Sequence, residues 1–316
     1  MSEVAVVGAG LMGHALALVY ALGGHRVRLT DSDPKTLARA PGLMATALAT
    51  LVDAGEVDAA WTPQRLADAA RPCASLAETV AGAELVVEAI VELPDAKRRL
   101  YAELAGLLAP TAILASNTSH LDVFPLLPES LQRQTLIAHW YTPPYLVDLV
   151  DVVAGPQTDP AAVETVRALV AAMGKVPVVF KKFVPGYVAN RIQAAISLEV
   201  YRLLDEGVVT PREVDDSVIH GLALRIPILG HLAKADFTGL KLIQNTMENR
   251  SYEPPVPRGK SETLDRLLAA GHTGVMDGHG FFDWGGRSPA ELFEDRDRRL
   301  IALKQALRKI GPLEGK

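Results

Sequence analysis

Short apolar runs punctuate the first 180 residues, and between them apolar positions recur at helical spacing. The runs are Val4–Val7, Arg26–Thr30, Leu85–Ala89, Ile113–Ser116, Leu136–His139, Leu149–Val153 and Val176–Phe180. Most are unbroken rather than alternating, as expected of strands covered by helices on both faces. Strands alternating with helices predict a mostly parallel, doubly wound α/β sheet.

The pattern changes at Lys181-Lys182-Phe183-Val184-Pro185-Gly186, after which helix signals dominate. Thr210-Pro211-Arg212-Glu213 and Ser288-Pro289-Ala290-Glu291 each read as an N-cap, a proline at the first helical position and a glutamate three residues after the cap. Pro254-Pro255-Val256-Pro257 reads as a loop. The expected organisation is an α/β domain over 1–182 and an all-α domain over 183–316. Apolar positions 293, 300, 303, 307 and 310 form a stripe on the last helix. That stripe either packs on its own domain or meets a second copy of the chain.

Composition narrows the class. The 316 residues are 49% hydrophobic and 22% charged, with a net charge of −5. No basic footprint for nucleic acid or an anionic membrane stands out. Ala15–Leu22 is too short to cross a bilayer, and a strand pattern beginning by Val4 leaves no room for a leader peptide. Cys73 is the only cysteine, which excludes an intramolecular disulfide and favours a reducing compartment. A cytoplasmic protein is expected, and the sequence offers no metal-ligand pattern.

Val4-Ala5-Val6-Val7 leads into Gly8-Ala9-Gly10-Leu11-Met12-Gly13 and then a helix running to Leu22. In this arrangement Gly8 permits the turn, Gly10 lets backbone approach a pyrophosphate, and Gly13 lets the helix pack close to the sheet. Leu11 and Met12 complete the turn, whose helix start offers N–H groups to phosphates. Asp31 ends the next strand at the spacing of a ribose 2′-hydroxyl ligand. Asp31 would repel a 2′-phosphate and Ser32 brings no cation, so NAD is favoured over NADP. Asp33 reads as a plain N-cap before Pro34.

Three further segments end strands and so face the ligand edge of an open α/β sheet. Ser116-Asn117-Thr118-Ser119 is one, with Asn117 on the cofactor side. His139 ends the following strand, and Asp151 ends the strand after a double-proline loop. Alone, His139 reads as a packed core histidine. With Asp151 on one ring nitrogen, its tautomer and basicity become those of a general base.

At this point the chain resembles the 3-hydroxyacyl-CoA dehydrogenase superfamily over nearly its whole length. The resemblance runs through GAGLMG, VVEAIVE (Val86–Glu92), SNTS, AHWYTPP, VPGYVANR (Val184–Arg191), GLALRIPILG (Gly221–Gly230) and GHGFFDW (Gly278–Trp284). It implies His139 as the base, Asp151 as its partner, and Ser119 as a hydrogen-bond donor to the substrate oxygen. It also implies Asn190 completing the site from the helical domain, and Glu92 and Lys97 near the nicotinamide ribose. As an isolated residue, Lys97 is equally a solvated helix charge. A homodimer through the C-terminal domain is the implied assembly.

The departures bear on substrate. Aspartate stands at 151 where the family usually has glutamate, and Thr142 where many relatives have asparagine. His120 follows Ser119 where acyl-CoA members often have serine, and His231 stands where proline is usual. Thr142, His120 and His231 are candidate substrate contacts, the two histidines being equally readable as solvated or packed residues. No lysine occurs between Lys35 and Lys97, the region that grips CoA in thioester-using members. Arg39, Arg65 and Arg71 are its remaining candidates for phosphate. The expectation is an NAD-dependent dehydrogenase for the 3-hydroxyl of a small hydroxy acid. A 3-hydroxyacyl-CoA dehydrogenase and a non-catalytic, crystallin-type NAD-binding protein are the alternatives.

Overall fold

The computed structural model describes residues 2–250, 252–311 and 313. The chain forms two compact units, one ending at Val188 and the other beginning at Ala189.

The first unit is built on an eight-stranded sheet. Its strands are β1 (Glu3–Val7), β2 (Arg26–Thr30), β3 (Ala70–Pro72), β4 (Leu85–Glu88), β5 (Ile113–Ser116), β6 (Thr135–Trp140), β7 (Leu149–Ala154) and β8 (Val176–Phe180). Their order is β3-β2-β1-β4-β5-β6-β7-β8, and only the β6–β7 pairing is antiparallel. The chain leaves β1 toward β2 and β3, then returns to β4 on the other side. This reversal opens a crevice at the carboxyl ends of β1 and β4, where open α/β sheets take ligands.

Alternate residues of each central strand serve the two helical layers. Ala5, Val7, Val86 and Leu114 join Tyr101, Leu104, Val123 and Phe124 in one buried cluster. Val6 turns to the other side, where the helix Gly13–Leu22 buries Leu16, Ala17 and Tyr20. Tyr20 meets Trp140 edge to face, with ring centroids 5.7 Å apart. Burial of this apolar surface on both sides explains why the strands read as unbroken runs.

Two strands depart from expectation. The Ala-Arg-Pro sequence of β3 has no apolar run, yet its register with β2 (Val27↔Ala70) makes it an edge strand. β8 has such a run, but it lies at the other edge with Val176, Val178 and Val179 exposed.

The second unit is helical: Ala189–Asp205, Pro211–Asp216, Ile226–Thr238, Leu240–Glu248, Glu262–Ala269 and Pro289–Ile310 are its α-helices. Both expected capping boxes form, Thr210 with Glu213 and Ser288 with Glu291. Few of its described residues are buried: Ser261, Thr263, Leu292, Asp297 and Ile301. The stripe on the last helix faces outward, with Phe293, Leu300, Leu303 and Ile310 exposed, while Leu292 and Ile301 turn inward. Packing within its own unit therefore does not account for that stripe.

Among the described residues, no helix is long and apolar enough to cross a membrane.

Candidate active site

The turn after β1 has the shape a dinucleotide needs. Gly8 has φ +98°, and a Cβ there would lie 2.5 Å from the Ala89 carbonyl oxygen across the β1–β4 crevice. A Cβ on Gly13 would lie 1.6 Å from the Gly8 oxygen, so the helix packs against the turn only with glycine there. Around Gly10, by contrast, nothing lies within 4 Å of that position. The helix start at Met12 has no side-chain cap, and Leu11 is exposed beside it. An open glycine at an uncapped helix start fits a pyrophosphate.

Asp31 is drawn into the same turn. Its Oδ2 accepts the Ala9 N–H at 2.7 Å and its Oδ1 accepts the Asp33 N–H at 2.8 Å. The carboxylate is thus fixed beside the glycine turn. Asp33 caps the helix Pro34–Asp53 through the Lys35 and Thr36 amides.

At the carboxyl ends of β5 and β6, three predicted residues join in series. The Ser119 Oγ lies 3.1 Å from His139 Nε2, and His139 Nδ1 lies 3.2 Å from Asp151 Oδ2. A carboxylate takes a proton-bearing Nδ1, which leaves Nε2 as the lone pair that accepts the Ser119 hydroxyl. His139 and Asp151 are opposite one another in the antiparallel β6–β7 register, and both are buried. Two tyrosines flank the imidazole. Tyr141 meets it edge to face at 4.5 Å between centroids, and Tyr187 lies against it at 4.8 Å.

Glu92 holds the turn that carries Ser119. One of its oxygens accepts the Thr118 hydroxyl and the amides of Ser119 (2.9 Å), His120 (3.2 Å) and Leu121 (3.3 Å). Burial opposes its ionisation. The Thr118 hydroxyl, the Lys97 charge and the amides outweigh burial and hold the carboxyl below the usual carboxylate range. From the other side, the Tyr187 hydroxyl donates to the Thr118 carbonyl at 2.7 Å, and the Gly186 N–H donates to the Ser119 carbonyl at 3.1 Å. Tyr187 itself sits at φ +50°, a left-handed conformation uncommon outside glycine.

Lys97 is buried rather than solvated. Its Nζ lies 2.7 Å and 2.8 Å from the two Glu88 oxygens and 3.3 Å from Glu92. Glu88 also accepts the hydroxyls of Tyr101 (2.7 Å) and Ser116 (2.6 Å). Lys97 therefore reaches the site through Glu92. Sequence reasoning missed this network, although a glutamate at the end of the apolar run Leu85–Ala89 was its signal. It also missed Tyr141, whose hydroxyl donates to Asp151 Oδ2 at 2.6 Å.

The other expected residues are placed as follows. The Asn117 side-chain Oδ1 accepts the Trp140 N–H at 2.8 Å, tying the end of β5 to β6. The Thr142 hydroxyl reaches Met12 Sδ at 3.1 Å, which brings the double-proline loop onto the glycine turn. His120 is exposed, and its N–H goes to Glu92. Asn190 and an exposed His231 belong to the second unit, Asn190 on its first helix.

Serine, histidine and aspartate in series also describe an acyl-transfer triad, which needs free N–H groups to receive an oxyanion. Here the amides of Ser119, His120 and Leu121 are committed to a carboxylate. These three amides therefore offer no oxyanion hole beside Ser119.

Comparison with known proteins agrees with this geometry. The family model described as "3-hydroxyacyl-CoA dehydrogenase, NAD binding domain" matches residues 3–183, and "3-hydroxyacyl-CoA dehydrogenase, C-terminal domain" matches residues 186–284. Fold and cofactor turn define an NAD-dependent oxidoreductase acting on a CH–OH group. The chain belongs to the 3-hydroxyacyl-CoA dehydrogenase family.

It is 30% identical to 5-formyl-3-hydroxy-2-methylpyridine 4-carboxylate 5-dehydrogenase of Mesorhizobium japonicum, over 96% of this chain and 98% of the relative. It is 31% identical to L-carnitine dehydrogenase of Streptomyces griseus over 96% of this chain and 89% of the relative. Lambda-crystallin of Oryctolagus cuniculus is 33% identical over 73% of this chain and 72% of the relative. A crystal structure of the pyridine-carboxylate dehydrogenase, described as an NAD+ dependent dismutase, superposes with TM-score 0.87 at 28% identity. That match covers 99% of this chain and all of the other.

Proposed function

We propose that this protein oxidises the hydroxyl of a small free hydroxy acid, with His139 taking the hydroxyl proton. The observation that carries the reading is the Ser119–His139–Asp151 series at the carboxyl ends of β5, β6 and the antiparallel β7. NAD, when bound, supplies the acceptor for the hydride. Gly8, Gly10, Leu11, Met12 and Gly13 would hold its pyrophosphate, and Asp31 its adenosine ribose. Glu92 and Asn117 are assigned to the nicotinamide side, Lys97 acting there through Glu92.

In the reaction, Asp151 holds the imidazole with Nε2 directed outward, and Nε2 receives the proton. Ser119 orients the substrate oxygen toward it, and Asn190 is assigned as a second donor from the helical domain. Positioned proton transfer of this kind contributes about 10²–10⁴-fold in rate. Thr142 and His120 are assigned to the substrate side.

A free acid is favoured over a CoA thioester by the state of the arm before β4. The Arg65 guanidinium stacks on Trp61 at 4.3 Å, and Arg71 lies 3.7 Å from Glu78. The arm supplies no lysine for a nucleotide phosphate. The pyridine carboxylate and L-carnitine in the names of two relatives are free acids rather than CoA thioesters.

A homodimer through the second unit is part of the reading. Leu232 (79% exposed), Met247 (75%) and Phe237 (72%) leave apolar surface that a second copy would bury. The domain boundary is assigned near residue 183, and the single buried thiol, Cys73, supports a cytoplasmic location.

The test is NADH formation by the pure protein with free hydroxy acids, including L-carnitine, and with 3-hydroxybutyryl-CoA. Turnover of a free acid supports the reading. Turnover confined to the thioester overturns the substrate class, and silence across the panel with intact NAD binding favours a non-catalytic role.

A further inference from the structure

We propose that Tyr141 is a positioning residue for the His139–Asp151 pair, orienting the aspartate and setting how strongly it polarises the imidazole. This rests on the reading of His139 as the base. Asp151 Oδ2 receives both partners: His139 Nδ1 at 3.2 Å and the Tyr141 hydroxyl at 2.6 Å. The tyrosine contact is the shorter, so the oxygen that faces the ring is held by Tyr141 as well as by the ring itself.

The local chain explains how one tyrosine does this. β6 ends at Trp140, and Tyr141 begins the loop that leads through Pro143 and Pro144 toward β7. Tyr141 is two residues beyond His139, and its ring comes to lie edge-on against the imidazole. Asp151 is 1% exposed, so water does not compete for its oxygens. Burial, the hydrogen bond to Asp151 and the charge of Asp151 all push the Tyr141 phenol well above its usual value. It therefore stays a neutral donor at working pH.

A neutral O–H donor draws charge from the oxygen it binds. At Asp151 this is the oxygen that polarises Nδ1–H, so Tyr141 restrains the pull of the aspartate on the ring. Removing the hydroxyl strengthens the Nδ1–H···Oδ2 bond and releases the aspartate to rotate. The groups facing the imidazole are Asp151 from β7, Tyr141 from the loop after β6, Ser119 from the turn after β5 and Tyr187 from the segment after β8. Glu92 stands behind Ser119 on its amide. None of these is a cation, so the Asp151 oxygen and its tyrosine partner dominate the field at Nδ1.

The experiment reads the His139 Nδ1–H proton by NMR in full-length protein with 15N-labelled histidine, the resonance being assigned by its loss in His139→Gln. Tyr141→Phe should move that resonance downfield. Replacing Tyr141 with 3-fluorotyrosine, a stronger donor of nearly the same shape, should move it upfield. Tyr252→Phe, which removes an exposed hydroxyl from Glu199 in the other unit, should leave it in place. A resonance unmoved in both Tyr141 variants, or moved the same way in both, overturns the proposal. If Tyr141→Phe does not fold, the 3-fluorotyrosine protein alone decides, since only an upfield shift supports the role. Retained turnover in His139→Gln would instead remove the base assignment, an outcome separate from the NMR result.

Discussion

His139 and Asp151 are register partners across the antiparallel β6–β7 pair, and their side chains meet on one face with Nδ1 3.2 Å from Oδ2. The antiparallel reversal is what makes this possible. A parallel crossover would have carried the chain through a helix before returning. The double-proline loop brings it straight back, twelve residues after the histidine. Histidine and aspartate are thus both fixed on paired strands of the sheet, and in the proposed reaction the substrate oxygen is left to Ser119 and the Nε2 face.

The glycines of the first turn separate into two roles. Gly10→Ala places its methyl in open space and should leave thermal stability within about 0.5 kcal/mol, as a surface substitution does. Binding of NADH, followed by fluorescence titration, should weaken at least tenfold. Gly13→Ala drives a methyl into the Gly8 carbonyl and should lower stability by about 1–3 kcal/mol or more.

Asp31→Asn tests cofactor choice. The amide oxygen still accepts one of the two N–H groups that fix residue 31, but the charge that repels a 2′-phosphate is gone. The ratio of kcat/KM for NAD to that for NADP should fall, chiefly through a higher KM for NAD. An unchanged ratio would remove Asp31 from cofactor recognition.

Lys97→Met leaves the Glu88 carboxylate buried without its ammonium partner. Breaking a buried pair on one side costs about 3–5 kcal/mol, whereas removing both charges is far less costly. Urea unfolding should therefore show Lys97→Met strongly destabilised and the double variant Glu88→Gln, Lys97→Met closer to wild type. Equal loss in both would mean that packing, not charge, holds the network.

Glu92→Gln tests the carboxylate that binds the Ser119 turn. Its folded-state value lies below the ordinary one, so its stabilisation is fully present above the unfolded carboxylate pKa and is lost as pH falls through the lowered value. The wild type should exceed Glu92→Gln in stability by a constant margin from pH 6 to 8, and the margin should shrink below about pH 4. Urea midpoints across that range provide the check.

Much of this architecture was legible in the chain. The apolar runs located seven of the eight strands; for the central ones, burial on both faces leaves an unbroken signature, while the run of β8 lies at an exposed edge. β3 left none, since Ala70–Pro72 is defined only by its register with β2. Ser119, His139 and Asp151 could be read because strand ends of such a sheet share one edge. Tyr141 and Tyr187 could not, because their contacts depend on a loop path and a left-handed turn that spacing does not encode. The outward face of the 293–310 stripe was ambiguous for a related reason: periodicity shows that a face is apolar but not what covers it.

The claim that His139 accepts the hydroxyl proton is tested most directly by the steady-state kinetics of His139→Gln on the hydroxy acid that the wild type turns over. With His139 as the base, kcat should fall about 10²–10⁴-fold, the usual worth of a positioned base, while NADH affinity is retained. A kcat within a few-fold of wild type would contradict it and pass the proton to another group.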